Sequence, residues 1–195
     1  MQKQPLPPSP PRRPRVDAQR NRERILEVAR EAFTQHGPEA TLDDIARRAE
    51  IGPGTLYRHF PTRDDLIEAV FRSQVQKLTD AGRHYTVTMQ PVEALRAWML
   101  LFIDYVACKL LILPAMDTVP GGSVRMIEGT RGLIHSTFRE LIKSAVDGGG
   151  LRADTDPDDI VRALVGVFHT TSLPGWESSA RRIVDVLIDG SRPRD

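Results

Sequence analysis

After residue 16 the apolar residues of this chain recur every three to four positions. That period places them on one stripe of an α-helix, and a chain written this way can bury them only by packing helix on helix. No run alternates apolar and polar residues between hairpin signals, and Thr86-Val87-Thr88 is too short for a strand. Proline and glycine cut the pattern into segments. Ile25, Leu26, Ala29, Ala32 and Phe33 form the stripe of a helix over 17–35, which Asp17 can cap and Gly37-Pro38 stops. Thr41-Leu42-Asp43-Asp44 and Thr62-Arg63-Asp64-Asp65 have the form of capping boxes, with aspartate in place of glutamate.

The first box opens a short helix with Leu42, Ile45, Ala46 and Ala49 inward. Ile51-Gly52-Pro53-Gly54 reads as a tight turn, and a second short helix follows over 53–59. The second box opens a long helix through Leu66, Ile67, Val70, Phe71, Val75 and Leu78; Gly82 and the threonines after it weaken helicity, so its end is predicted between 81 and 89. Pro91 starts the next helix. Pro114 and Pro120-Gly121-Gly122 bound a short irregular one, and further helices are expected over 123–146, 157–171 and 176–189. The prediction is an all-α protein of about nine helices. Its 195 residues suit one large domain or two small ones. The most apolar stretch, 97–116, is broken by Asp104, Lys109 and Pro114, so a buried helix pair is expected rather than a membrane span. The basic start is not followed by an apolar run, so no secretory leader is read there. The single cysteine, Cys108, cannot form an internal disulfide. It suits a reducing, cytoplasmic setting and reads as a small buried hydrophobe.

The formal net charge is +1, with 27 Lys+Arg against 26 Asp+Glu. This near-neutrality is a cancellation. Residues 1–63 carry 12 basic and 8 acidic residues, a net of +4, and residues 64–195 carry 15 and 18, a net of −3. A basic head on a mildly acidic body suits an anionic partner for the head; a solvated tail that binds nothing would carry the same charge. Residues 1–16 hold six prolines, which predicts a disordered or polyproline-like arm and no helix.

Residues 41–60 have the outline of a helix-turn-helix unit: two short helices, a glycine-bearing joint and a small Ala46 that allows close approach. A plain helical hairpin has the same outline. The residues themselves are more specific. The run Arg24-Ile-Leu-Glu-Val-Ala, Phe33, His36-Gly37, Thr41-Leu-Asp-Asp-Ile-Ala, then Gly52-Pro-Gly-Thr-Leu-Tyr-Arg-His-Phe60-Pro-Thr-Arg-Asp-Asp-Leu66, closely resembles the TetR family of transcriptional regulators over about residues 19–75.

The resemblance implies an N-terminal three-helix DNA-binding domain over 17–63, behind the arm 1–16, and a ligand-binding and dimerisation domain over 64–195. It implies that Thr41, Tyr57 and His59 reach backbone phosphates and that Gly54 and Thr55 lie against DNA. Arg63 stands where the family usually has a lysine; its fork can grip phosphate in a bidentate way. Such hydroxyl, phenol, imidazole and guanidinium groups are phosphate donors by nature. Arg58 is the one side chain of the second helix able to read a guanine edge, or else to meet phosphate or solvent. Arg12, Arg13 and Arg15 of the arm could enter an adjacent minor groove.

For the body, the resemblance implies a homodimer and a small-molecule effector. Ile160, Leu164 and Phe168 on one helix and Trp176, Ile183 and Leu187 on the last form stripes that could make a four-helix interface, or pack within one chain. Trp98, Phe102, Tyr105, His135, Phe138 and His169 are candidate ligand contacts, and the same residues would serve as core. The expected function is a regulator, by family default a repressor, that binds a palindromic operator as a dimer and is released by a small apolar molecule. The alternative is a DNA-binding protein of the same fold without such an effector. An enzyme is not expected, nor a cofactor or metal. Asp154-x-Asp156-x-Asp158 begins like a calcium loop, but position six is Asp159 and position twelve is Val165. No phosphate-loop, dinucleotide, zinc or nucleophile-elbow motif is present.

Overall fold

The computed structural model describes residues 14–116, 122–167 and 174–194. The first helix, α1, spans Pro14–His36 and so begins ahead of Asp17. The proline arm therefore gives its last residues to a helix. Proline is tolerated in a first turn, where its missing N–H has no partner to lose. After a short 3₁₀ turn at Gly37–Glu39 come α2, Leu42–Arg48, and α3, Pro53–His59. The long helices follow: α4, Arg63–Thr88; α5, Pro91–Met116; and α6, Gly122–Asp147. The last two are α7, Pro157–Val167, and α8, Trp176–Gly190. Among the described residues the fold is all-α, with eight α-helices and no strand.

The expected break at Pro114 does not occur, because α5 runs through it to Met116. A proline near a helix end forfeits one backbone bond, which the packed turns before it can absorb. Most of the expected short helix beyond, 117–121, lies outside the described residues. So does the end of the helix predicted to reach residue 171.

Two apolar cores share α4. The head core joins Ile25, Ala29 and Phe33 of α1 to Ile45, Leu56 and Phe60, and to Leu66, Ile67 and Val70 at the start of α4. The body core begins at Phe71 and continues through α5, α6, α7 and α8. Helix α5 belongs to both: Trp98, Met99 and Ile103 are buried in the body, while Ile112 is buried in the head. Thr34 on α1 and Cys108 on α5 also meet across this junction, Oγ1 to Sγ at 3.7 Å.

Helix α4 persists past Gly82 because Leu78, Thr79 and Gly82 are buried against the body, and tertiary packing outweighs propensity. The Thr86 hydroxyl donates to the Gly82 carbonyl (2.9 Å) and that of Thr88 to the His84 carbonyl (2.8 Å). Two ion pairs fasten α8 to α5: Arg96 with Asp185, through Nε at 2.6 Å and Nη2 at 3.2 Å, and Arg181 with Asp104.

Candidate nucleic-acid interface and body cavity

The head presents α3 outward by division of its faces. Leu56 on α3 is fully buried and Phe60, its C-cap, nearly so; they anchor the helix in the head core. Pro53, Gly54, Tyr57 and Arg58 are exposed, and Thr55 and His59 are half-buried. Tyr57 keeps 45% of its surface accessible, which is high for a large aromatic side chain. Gly54 has no atom within 4 Å of where a Cβ would stand, so nothing inside the chain requires glycine there.

Thr41 and Thr62 are both helix caps, each by a different share of its motif. The Thr41 hydroxyl oxygen accepts from the Asp44 amide at 3.2 Å. The return bond of a capping box is absent, because Asp44 is taken by Arg47 and Arg48, the latter at 2.9 Å. The Thr62 box is complete, with the Asp65 carboxylate accepting from the Thr62 amide at 3.0 Å. Thr41 is exposed, and a capping oxygen that accepts still has its own proton to donate outward.

The joint between α2 and α3 is not built on glycine. Glu50 holds the left-handed conformation, at φ 53°. The Ile51 amide donates to the Ala46 carbonyl and the Glu50 amide to the Arg47 carbonyl, both at 3.1 Å, which closes a Schellman motif. Gly52, at φ −68°, serves instead as the N-cap of α3.

Arg63 is half-buried, its guanidinium 5.2 Å from the centre of the Phe33 ring. Such stacking engages the face of the group, while its donors lie in its plane. Sequence reasoning missed Arg22, whose guanidinium stacks over Phe60 at 5.4 Å. Arg15 lies in the first turn of α1, and Arg12 and Arg13 lie outside the described residues.

In the body, α5, α6 and α7 line a partly open cavity of about 550 Å³. Of the candidate ligand contacts, Phe102, Tyr105, His135 and Phe138 line it. Trp98 does not. It is fully buried, stacked on Phe102 and Phe138 with ring centres at 5.5 and 5.1 Å, and its indole N–H donates to the Leu78 carbonyl at 2.9 Å. That donor is satisfied inside the core, so Trp98 is the wall behind the cavity and not its lining. His169 lies outside the described residues, as does Phe168.

The cavity also holds charged groups that the aromatic pattern did not single out: Lys109, Arg131, Asp158 and Arg162. Lys109 could have been found, since it continues the stripe of Phe102 and Tyr105 along α5. Asp158 accepts from both Nε and Nη2 of Arg139, at 3.0 and 2.9 Å, and lies 3.5 Å from His135 Nε2. Burial pushes the Tyr105 hydroxyl well above the usual phenol range, and it pushes the Lys109 ammonium below the usual lysine range.

The expected interface stripes divide. Leu164 is fully buried within one chain and has no surface to offer a partner, so it is core. Ile160, Trp176, Ile183 and Leu187 are half-buried against that core. Val186, which the stripe omitted, is 67% exposed. No group of three or more metal-ligating side chains occurs among the described residues. No described helix is long and apolar enough to cross a membrane.

The molecule is thus a helix-turn-helix head, its second helix turned outward, on a larger helical body that holds a cavity. Residues 25–70 match the family described as bacterial regulatory proteins, tetR family, and residues 90–193 match the SbtR-like transcriptional regulator C-terminal domain. The chain belongs to the TetR family of transcriptional regulators. It is 40% identical to the TetR transcriptional regulator SCO0520 from Streptomyces coelicolor, whose crystal structure superposes with a TM-score of 0.79 over 89% of this chain and 99% of that one. It is 33% identical to the HTH-type transcriptional regulator UidR of Escherichia coli K12 over 99 residues, 50% of this chain and 45% of that protein. It thus spans about half the length of the first curated relatives it matches. The Escherichia coli K12 protein named "Probable acrEF/envCD operon repressor" is 24% identical over 168 residues, 80% of this chain and 76% of that one.

Proposed function

We propose that this protein is a ligand-responsive transcriptional repressor that binds a palindromic operator as a homodimer and leaves it when a small, largely apolar molecule enters the body. The carrying observation is the outward face of α3, where Gly54, Tyr57 and Arg58 are exposed beside buried Leu56 and Phe60. Residues 17–63 act as the reading head, 64–195 as the sensing and dimerising body, and the arm adds its arginines to an adjacent minor groove. Thr41, Thr55, Tyr57, His59 and Arg63 meet phosphates, which position the head, and Arg58 reads a base edge. A DNA partner places the protein in the cytoplasm with the chromosome. The repressor named among its relatives supports the sign of regulation.

The body would act through helices that serve both cores. Helix α4 starts in the head core and continues in the body, and α5 walls the cavity while Ile112 packs into the head. A ligand that favours one arrangement of these helices shifts the pair of heads relative to one another.

Gly54→Ala tests the head. Alanine meets nothing within the chain and is the better helix former, so thermal stability holds or rises. Affinity for an operator selected from random DNA falls by about tenfold or more, because the Cβ intrudes where the backbone meets DNA. An unchanged operator affinity would remove α3 from the interface.

A further inference from the structure

We propose that the effector is an amphipathic anion: an apolar body of modest size carrying one carboxylate-like group that pairs with Lys109. The inference rests on reading the body cavity as the effector site, and it adds the chemical class that the site selects.

The walls are apolar, with Phe102 and Tyr105 from α5, Ile134 and Phe138 from α6, and Val161 from α7. A space of about 550 Å³ falls within the ordinary range for small-molecule sites. Apolar walls alone would accept any greasy molecule. The charges narrow the choice. Among the described residues Asp158 is the one acid of the lining, and its charge is already met by the two-point bond from Arg139 with His135 beside it. Arg162 is paired with Asp159 at 2.8 Å. Lys109 and Arg131 have no ion pair among the described residues. Lys109 is half-buried within the apolar wall, while Arg131 is exposed.

A cation drawn out of water without a partner is costly, and the cost remains when a neutral ligand covers it. A cationic ligand adds repulsion. An anion at the end of an apolar body satisfies the ammonium and fills the walls together, so the site discriminates by leaving every other class with an unpaired charge. The protonated Tyr105 hydroxyl lies one helical turn before Lys109 and lines the same cavity, where it can donate to such a group.

The test uses the full-length protein with three probes that share a ten-carbon chain: decanoate, 1-decanol and decylamine. Calorimetric titration should give decanoate an affinity at least about tenfold above decanol, with decylamine weaker still, as one charge-assisted hydrogen bond predicts. Lys109→Met should remove the preference for decanoate and leave decanol unchanged, and Lys109→Arg should keep it. Unliganded Lys109→Met should melt at or above the wild type, since it no longer desolvates a cation. Equal binding of decanoate and decanol by the wild type, no binding of decanoate, or a preference that survives Lys109→Met would overturn the proposal. A Lys109→Met protein that melts well below the wild type would also overturn it, because Lys109 would then be held by the fold. Release of operator DNA, followed by fluorescence anisotropy with each probe, separates the two readings. Decanol that releases DNA where decanoate does not refutes the anion and keeps the ligand-released repressor. Lys109-dependent decanoate binding that leaves DNA bound keeps the anion site and refutes release.

Discussion

Glu50 occupies a backbone conformation that disfavours side chains. At φ 53° its Cβ crowds the backbone, at a cost of about 1 kcal/mol relative to glycine. The local sequence holds Gly52 and Gly54 close by, yet neither takes this position. The reason is register. The Schellman bonds from Ile51 and Glu50 back to Ala46 and Arg47 require the left-handed residue directly after the C-cap, Ala49. Glu50 is exposed, and its ion pair with Arg24 is long, at 3.8 Å, so it adds little. Glu50→Gly should therefore raise the unfolding free energy by up to about 1 kcal/mol in urea denaturation. Destabilisation by this change would show that the Arg24 contact outweighs the strain. The exposed face of α3 was legible from its motif. The left-handed joint was not, because any residue can be forced into it when two backbone bonds agree.

At the scale of the element, the two ends of α4 contrast. Its start follows from four residues, since Thr62 and Asp65 satisfy each other's backbone donors whatever lies beyond them. Its far end depends on neighbours. Gly82 reads as a weak point in the sequence, but side chains of α5 and α6 press against α4 there. A Cβ there would lie 2.3 Å from Thr137 Cγ2 and 3.1 Å from the Trp98 indole nitrogen. Trp98 reaches the Leu78 carbonyl only because that space is empty. Gly82→Ala should therefore destabilise by about 1–3 kcal/mol, although alanine favours the helix, because overpacking outweighs propensity. Chemical denaturation measures it, and an alanine variant as stable as the wild type would refute the close approach. Pro114 teaches the same lesson from the other side: a nominal breaker passes within a helix because it falls near its end.

On the whole-molecule scale, the cancelling charges acquire a plan: residues 1–16 carry 4 basic residues and no acidic one, residues 17–63 carry 8 of each, and residues 64–195 carry a net of −3, so the positive excess lies in the arm. The proposed dimer can be placed on α8. One flank of this helix is fastened to α5 by Arg96–Asp185 and Arg181–Asp104, and a third face packs Ala180, Val184 and Ile188 into the core. The remaining flank carries Trp176, Ile183 and Leu187, half-covered, with Val186 outermost. Val186→Glu should shift the protein to monomer in sedimentation velocity and lower operator affinity, with little change in the far-ultraviolet circular dichroism. A persistent dimer would move the interface off this flank. The stripes read from sequence named most of this surface. They could not tell Leu164 from Ile183, because helical spacing marks a residue as inward without saying which of two partners lies there.

The helical class, the capped starts of α2 and α4 and the outward residues of α3 were determined by the sequence alone. Periods, caps and short motifs act within a few residues, so the chain carries them without reference to its fold. Tertiary structure decided the rest: that Trp98 is core behind the cavity, that Gly82 is a contact, that α5 spans both cores, and that Glu50 turns the joint. Each of these depends on which residues distant in the chain arrive at the same place. Burial and close packing are properties of that meeting, and no local pattern encodes them.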